Sequence, residues 1–401
     1  MKPPTPRRTA ALAVTMTAVA AATLGGAPAA QAAGPVELRL VPLGADYPEA
    51  LRAQAAFWNL NRLSTAALNP DGTEAVAPAA GWDDSARPWT GEARITRTVG
   101  KLVMRMRNAD DPNAPAALST CTATVVKSLN KSVVVAAAHC LRLNWGLNNP
   151  DLNQIATNVA FVPGFRGAAV PRVAPGTDPA TGPAIGPDVA PYGVWPVTRA
   201  WWTEGWGAQA NFLNNNDMVA MVVDNPTEDR PLEDVVGEGQ PIAFNQPRTT
   251  PRTTFGFPSV NYKSYSGPNF AAGGAAVIDG APNVNGVPAD RQRVYDGRSL
   301  LFSQGASWIN REWWWETNSD ITRAQFSPGA SGGPWFKDFD PTTGRGLLVG
   351  VTSHFAQSEA GGLDAVADMQ GRAPSPYMAG TNFGDQEKAA FETAQSTTPG
   401  P

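Results

Sequence analysis

From residue 95 onward the chain is built from short apolar runs: "VGKLVMRM", "TATVVK", "SVVVAAAHC", "NDMVAMVVD", "TTFGF" and "GLLVGVTS". Each is rich in valine or another β-former and is bounded by glycine, proline, asparagine or charged residues. Such runs are too short for ordinary helices, and β-branched side chains sit best on a pleated surface. Their spacing predicts an all-β domain, an antiparallel sandwich or barrel. Helical periods are scarce in this region and no internal repeat is evident. Connections such as "PRVAPGTDPATGPAIGPDVAPYG" are expected to be long surface insertions.

The N-terminus reads differently. Lys2, Arg7 and Arg8 precede the uncharged "TAALAVTMTAVAAATLGG", and "APAAQAA" then supplies small residues in an Ala-x-Ala pattern. This predicts a secretory signal peptide over 1–33, cut near Ala32 or Ala33, with no membrane anchor. Residues 34–94 are alanine-rich, with one helical stretch, "YPEALRAQAAFWNLNRLSTAAL", followed by the loop-like "NPDGTEAVAPAAGWDDSARP". They are expected to be a pro-segment or N-terminal extension, with a basic, exposed-looking boundary at "GEARITRTVGK". The catalytic-type domain then covers 95–385, and 386–401 is expected to be a flexible tail.

Export implies an oxidising compartment, so the two cysteines, Cys121 and Cys140, are expected to form one disulfide. Lys and Arg number 31 against 35 Asp and Glu, a net charge of -4, which offers no basic footprint for nucleic acid.

Only two histidines are present, His139 and His354. His139 ends "SVVVAAAHC", where a buried strand would deliver its imidazole beside Cys140. Ser331 stands in "SPGASGGPWF", framed by Gly329, Gly332 and Gly333. A serine hydroxyl attacks only when a base takes its proton and donors meet the oxyanion. Glycines around it permit a tight turn that aims the amides of Gly329 and Ser331 at one point. A nucleophile elbow would need a helix after the serine, then an acid and a histidine. "GGPWFKDFDPTTGRG" is too broken for that, so the order His, Asp, Ser is the better fit. Two acids flank the run "MVAMVV": Asp217 leads into it and Asp224 ends it before the turn "NPTEDR". Asp217 is preferred, because a carboxylate opening a buried strand can be desolvated beside a histidine and hold its tautomer.

The blocks "CTATVVKSLNKSVVVAAAHC", "NNDMVAMVV" and "GASGGP", with "LLVGVTS", resemble the histidine, aspartate and serine signatures of the trypsin-like, chymotrypsin-fold serine endopeptidases, in a secreted bacterial form related to the glutamyl-endopeptidase-like group. The resemblance runs from about Val99 to Ser353. It implies two antiparallel six-stranded β-barrels with the site between them, and no metal or cofactor. It implies Ser331 as nucleophile, His139 as base then acid, Asp217 as orienting carboxylate, and Gly329 and Ser331 as oxyanion donors. Ser353 would lie on the strand that pairs with substrate and would support the aspartate, and Cys121–Cys140 would be the bridge beside the histidine. This chain departs from the pattern in opening its histidine motif with "AAAHC" rather than threonine and in having longer insertions.

The resemblance also places Gln325 at the base of the primary specificity pocket, with Thr352 and His354 on its flanking strand. Gln325 carries no charge to pair with lysine or arginine, so an apolar preference is expected, with glutamate the alternative if His354 reaches the pocket. The chain is expected to act as a monomer on a protein or peptide substrate. A rival reading is a binding or structural protein on a peptidase scaffold. The tryptophan clusters "WWTEGWG" and "REWWWE" are expected to pack insertion loops, with a stacking platform for a sugar as the alternative.

Overall fold

The structure is a computed structural model that describes residues 34–68, 87–144, 153–209, 216–259, 262–263, 277–278, 292–293, 295–312, 315–322, 324, 326–356 and 377–400. In chain order its strands are β1 (Val36–Arg39), β2 (Arg87–Pro88), β3 (Val99–Asn108), β4 (Ala117–Val126), β5 (Val133–Ala136), β6 (Arg142–Asn144), β7 (Asn153–Pro163), β8 (Trp195–Trp202) and β9 (Val219–Val223). The second half holds β10 (Arg252–Gly256), β11 (Tyr262–Lys263), β12 (Val277–Ile278), β13 (Gln292–Arg293), β14 (Leu301–Gly305), β15 (Ser307–Glu312), β16 (Trp315–Thr322), β17 (Pro334–Asp340), β18 (Arg345–Ala356) and β19 (Tyr377–Asn382). Six of these strands coincide with the six apolar runs of the sequence.

The first sheet runs β1-β8-β9-β5-β4-β3-β7-β6. A further pairing of β7 with β8 closes β8, β9, β5, β4, β3 and β7 into a six-stranded antiparallel barrel. β5 and β9 are apolar along their whole length because both faces are covered, one by the barrel interior and the other by surrounding elements. Gly100 on β3 lets the strands approach closely, since a Cβ there would lie 2.1 Å from the Val162 carbonyl oxygen. The second sheet runs β15-β16-β19-β18-β17-β10-β14-β2, antiparallel and curled, with no pairing between its outermost strands among the described residues. β12-β11-β13 form a small separate ribbon. This is the two-barrel, chymotrypsin-like architecture, with the second barrel present as an open sheet. One buried cluster joins the two halves, bringing Val99, Val135 and Val222 of the first sheet together with Phe255, Phe336 and Leu348 of the second.

Of the 34–94 segment, residues 34–68 are woven into the first barrel, while β2 pairs with β14 in the second sheet. β1 adds to β8 in register Val36 to Trp202. The single helical stretch of the sequence becomes two helices, α1 (Tyr47–Phe57) and α2 (Leu60–Ala67), because Asn59 breaks the first and caps the second by accepting from the Arg62 amide at 2.8 Å. Gln54 donates to the carbonyls of Val159 and Val197, and Trp58 donates to that of Asn158. Shorter helices follow as α3 (Ile95–Thr98), α4 (Glu204–Gln209) and α5 (Leu232–Val236).

The C-terminus differs from expectation. Where a flexible tail is expected, α6 (Asp385–Gln395) carries Ala390, Phe391 and Ala394 at helical spacing, and all three are buried. The Phe391 ring lies 5.6 Å from that of Phe244, and the Gly384 amide donates to the Glu387 carboxylate across the helix start. No helix among the described residues is long and apolar enough to cross a membrane.

Candidate active site

β5 delivers Ala137 and then a single 3-10 turn, Ala138–Cys140, whose middle residue is His139. The Cys121–Cys140 disulfide, at a sequence separation of 19, ties that turn to β4. Asp217 stands just before β9, the neighbour of β5 in the barrel, so the β5–β9 pairing sets histidine and aspartate side by side. The His139 backbone amide donates to Oδ1 of Asp217 at 2.8 Å, and His139 Nδ1 lies 2.7 Å from Oδ2. The Ser353 hydroxyl donates to the same Oδ2 at 2.6 Å. Behind the carboxylate, Thr381 on β19 donates to the Asp217 carbonyl at 3.3 Å.

Asp217 is fully buried and His139 is 12% exposed. Burial pushes the Asp217 carboxyl up, but the His139 charge and the hydrogen bonds from His139, Ser353 and the His139 amide outweigh it and hold the group below the ordinary aspartate value. An ionised carboxylate only accepts, so the proton between Asp217 and His139 sits on Nδ1. That leaves Nε2 with the lone pair, the arrangement a general base needs.

Ser331 occupies a turn between β16 and β17. The Ala330 amide donates to the Ser327 carbonyl and the Gly333 amide to the Ala330 carbonyl. The Thr122 amide donates to the Ser331 carbonyl at 2.8 Å, and the Gly332 amide donates to the Thr352 carbonyl at 2.7 Å. Gly332 has φ of 77°, and a Cβ on it would come within 2.8 Å of the Ala137 nitrogen and 2.4 Å of the Thr122 oxygen. The serine turn therefore rests on the backbone that immediately precedes His139, and Ser331 itself is partly exposed. Gly329, at φ of 98°, also needs the freedom only glycine has.

The residues expected to set specificity fall out unevenly. Gln325 lies outside the described residues. Thr352 is buried, and its hydroxyl accepts from the Trp335 indole at 2.9 Å. His354 is half-buried, with Nδ1 at 3.0 Å from the Ser353 hydroxyl. The cluster Trp201, Trp202 and Trp206 is buried in the first barrel and its flank, so it forms core and no platform. The side chains of Arg311–Glu316 lie outside the described residues. Sequence reasoning missed Thr122 and Thr381. Thr122 is flagged only by its place next to Cys121, and nothing local marks Thr381.

Cys121, His139 and Cys140 bring their sulfur and nitrogen atoms within 4.8 Å of one another. Both sulfurs are spent in the disulfide and offer no thiolate, so this cluster is no metal centre.

In overall structure the chain is similar to a thermostable serine protease, AL20, from an extremophilic microorganism, at 20% identity over 76% of this chain and 100% of that one, with a TM-score of 0.48. It is similar to the protease Anisep from Arthrobacter nicotinovorans at 21% identity over 75% of this chain and 96% of that one, TM-score 0.45. It is also similar to a Glu endopeptidase in complex with MPD at 13% identity over 79% and 98%, TM-score 0.43. No protein-family model matches the chain, and no curated protein matches it.

Proposed function

We propose that the chain is a secreted serine endopeptidase that hydrolyses peptide bonds through an acyl-enzyme. The observation that carries this reading is the buried Asp217 carboxylate, which receives the His139 amide, His139 Nδ1 and the Ser353 hydroxyl at 2.6–2.8 Å. A fully buried charge with three donors is costly to build. It fixes the His139 imidazole through Nδ1.

In this mechanism the Ser331 hydroxyl attacks the scissile carbonyl while His139 Nε2 takes its proton. The carbonyl oxygen becomes an oxyanion facing the amides of Gly329 and Ser331. His139 then protonates the leaving amine, the C–N bond breaks, and Ser331 carries the acyl group. Water enters, gives its proton to His139 and attacks the ester, and the acid product leaves with the Ser331 hydroxyl restored. Asp217 stays ionised throughout and stabilises the imidazolium that forms twice per turnover.

Secretion is supported by the basic start, apolar run and Ala-x-Ala site over 1–33. Cleavage after lysine or arginine is expected to be poor, since Gln325 brings no counter-charge.

The test is labelling with a fluorophosphonate together with hydrolysis of a peptide library. The expected result is rapid stoichiometric labelling that Ser331→Ala abolishes, with turnover falling by several orders of magnitude. Undiminished peptidase activity in Ser331→Ala would overturn the reading.

A further inference from the structure

The turn around Ser331 is rich in glycine, and a glycine-flanked peptide flips easily because both signs of φ are open to it. A flip of the peptide joining Pro328 to Gly329 would replace the Gly329 N–H with the Pro328 carbonyl. An oxyanion site built from such peptides has to be held from behind.

A planar trans peptide points its N–H and its C=O in opposite directions. Fixing the carbonyl on one side therefore aims the amide to the other. The Pro328 carbonyl accepts from the Ser259 amide at 2.8 Å and from the Ser259 hydroxyl at 3.3 Å, which turns the Gly329 N–H away from Ser259. The next carbonyl, of Gly329, accepts from the Thr122 hydroxyl at 2.8 Å. The Ala330 carbonyl accepts from the Gly333 amide at 2.9 Å, which sets the Ser331 N–H, and the Ser331 carbonyl accepts from the Thr122 amide at 2.8 Å. Four consecutive carbonyls of the serine turn are held, and two residues outside the turn hold three of them.

Thr122 is fully buried, and its hydroxyl both donates and accepts. Its one proton goes to Gly329, and a lone pair accepts from the Phe257 amide at 3.0 Å. That second bond ties Thr122 to the segment 257–259, so the two clamps brace each other. Lys101 anchors the same segment by donating to the Phe257 carbonyl at 2.9 Å. Thr122 follows Cys121, so the disulfide that fixes the His139 turn also fixes this clamp.

We infer that Ser259, through the peptide that carries the Gly329 N–H, and Thr122, by fixing the two peptides on either side of the one that carries the Ser331 N–H, are positioning residues that preset the Gly329 and Ser331 amides toward the oxyanion before substrate arrives. The inference rests on the serine-endopeptidase reading above. Each acts through a carbonyl of the turn, and a preset donor counts most where charge develops, in the transition state.

The experiment compares wild type, Thr122→Val, Thr122→Ser, Ser259→Ala and Ser331→Ala in the full chain, reading kcat and KM separately on one peptide ester, with the fluorophosphonate labelling rate and thermal unfolding. Removing one oxyanion donor outright typically costs 10²–10³ in kcat, so loosening one is expected to cost about ten- to hundredfold in Thr122→Val, with KM changed by no more than about twofold. Thr122→Ser keeps the hydroxyl and should recover to within about threefold of wild type. Ser259→Ala keeps its backbone amide and should lose about three- to tenfold. A folded Thr122→Val with wild-type kcat overturns the inference, as does a Thr122→Ser no better than the valine variant, which would assign the effect to the methyl group. If Thr122→Val does not fold, the Ser259→Ala kcat and labelling rate decide on their own, and wild-type values there overturn the inference. A wild-type chain that neither labels nor hydrolyses fails the function reading first and takes the inference with it, a result distinct from an active wild type with indifferent variants.

Discussion

The Ser353 hydroxyl donates to Asp217 at 2.6 Å, on the same carboxylate oxygen that His139 uses. Ser353 is therefore one of three side-chain or backbone donors that hold a buried carboxylate ionised, against burial that pushes the other way. A hydrogen bond to a charged group contributes about 1.5–3 kcal/mol.

Ser353→Ala removes one of those donors and lets the Asp217 carboxyl titrate at higher pH. A carboxylate held below its unfolded value contributes stability above the unfolded value and loses it as pH falls through the folded one. With less depression in the variant, less of that stability is present at neutral pH and less of it remains to be lost in acid. Thermal unfolding measured from pH 7 down to 3 should show the variant below wild type at neutral pH, with the gap closing as pH falls. Turnover at neutral pH should drop by about ten- to hundredfold. Superimposable acid profiles would count against Ser353 as a support of Asp217.

A second consequence concerns His354. Ser353 has a single proton, and Asp217 receives it, so the 3.0 Å contact between the Ser353 oxygen and His354 Nδ1 has to be donated by the histidine. His354 is thus expected as the Nδ1–H tautomer when neutral, with the lone pair on Nε2. Nitrogen NMR shifts of selectively labelled His354 report the tautomer directly, and a dominant Nε2–H form would reverse the assigned direction of the bond. In a peptide library His354→Phe should retain cleavage after apolar residues. Selective loss of cleavage after acidic residues would instead bring this imidazole into the specificity pocket.

The first barrel was readable because its strands are buried on both faces, so that "SVVVAAAHC" and "NDMVAMVVD" announce themselves as apolar runs whose ends carry His139 and Asp217. Ser331 was readable from its glycines, which the turn needs at φ values of 98° and 77°. What stayed hidden depends on long-range contacts that leave no local pattern. Thr122 and Ser259 act through backbone carbonyls more than 60 positions away, and a threonine in a strand looks like any other. α6 reads as a tail in sequence because only Ala390, Phe391 and Ala394 make its apolar stripe, a weak signal until Phe244 is there to meet it. The extension was set apart on composition, yet an alanine-rich helix buries well wherever a barrel offers it a wall.

Removal of 34–68 is expected to unfold the first barrel. Tyr47, Leu51, Trp58, Leu63 and Leu68 are all buried. At about 1.5–3 kcal/mol for each large apolar side chain, their combined burial is on the order of 10 kcal/mol, comparable with the whole stability of a typical domain. A chain beginning at Asn69 should be insoluble or protease-sensitive, with no cooperative thermal transition. A truncated chain that melts cooperatively and labels with fluorophosphonate would make the segment a removable one.

The last prediction turns on Lys101, which lies on β3 with no exposed surface and donates to the Ala67 carbonyl at 3.3 Å and the Phe257 carbonyl at 2.9 Å. It joins the end of α2 to the segment that braces the serine turn. Burial lowers its ammonium to about 7, with nearby Asp296 opposing. The unfolded chain keeps a lysine proton to about 10.4. Between these two values the unfolded state binds more protons than the folded one, so the free energy of unfolding rises with pH across that window. The burden of a buried charge is greatest below pH 7 and is relieved above it, by an amount on the order of a few kcal/mol. Lys101→Met fills the space but has no proton to lose, so denaturant unfolding of wild type and variant from pH 6.5 to 9.5 should give curves that diverge, with wild type gaining stability relative to the variant as pH rises. Parallel curves would mean that Lys101 keeps its proton in the folded state, held by Asp296 and the two carbonyls strongly enough to cancel its burial.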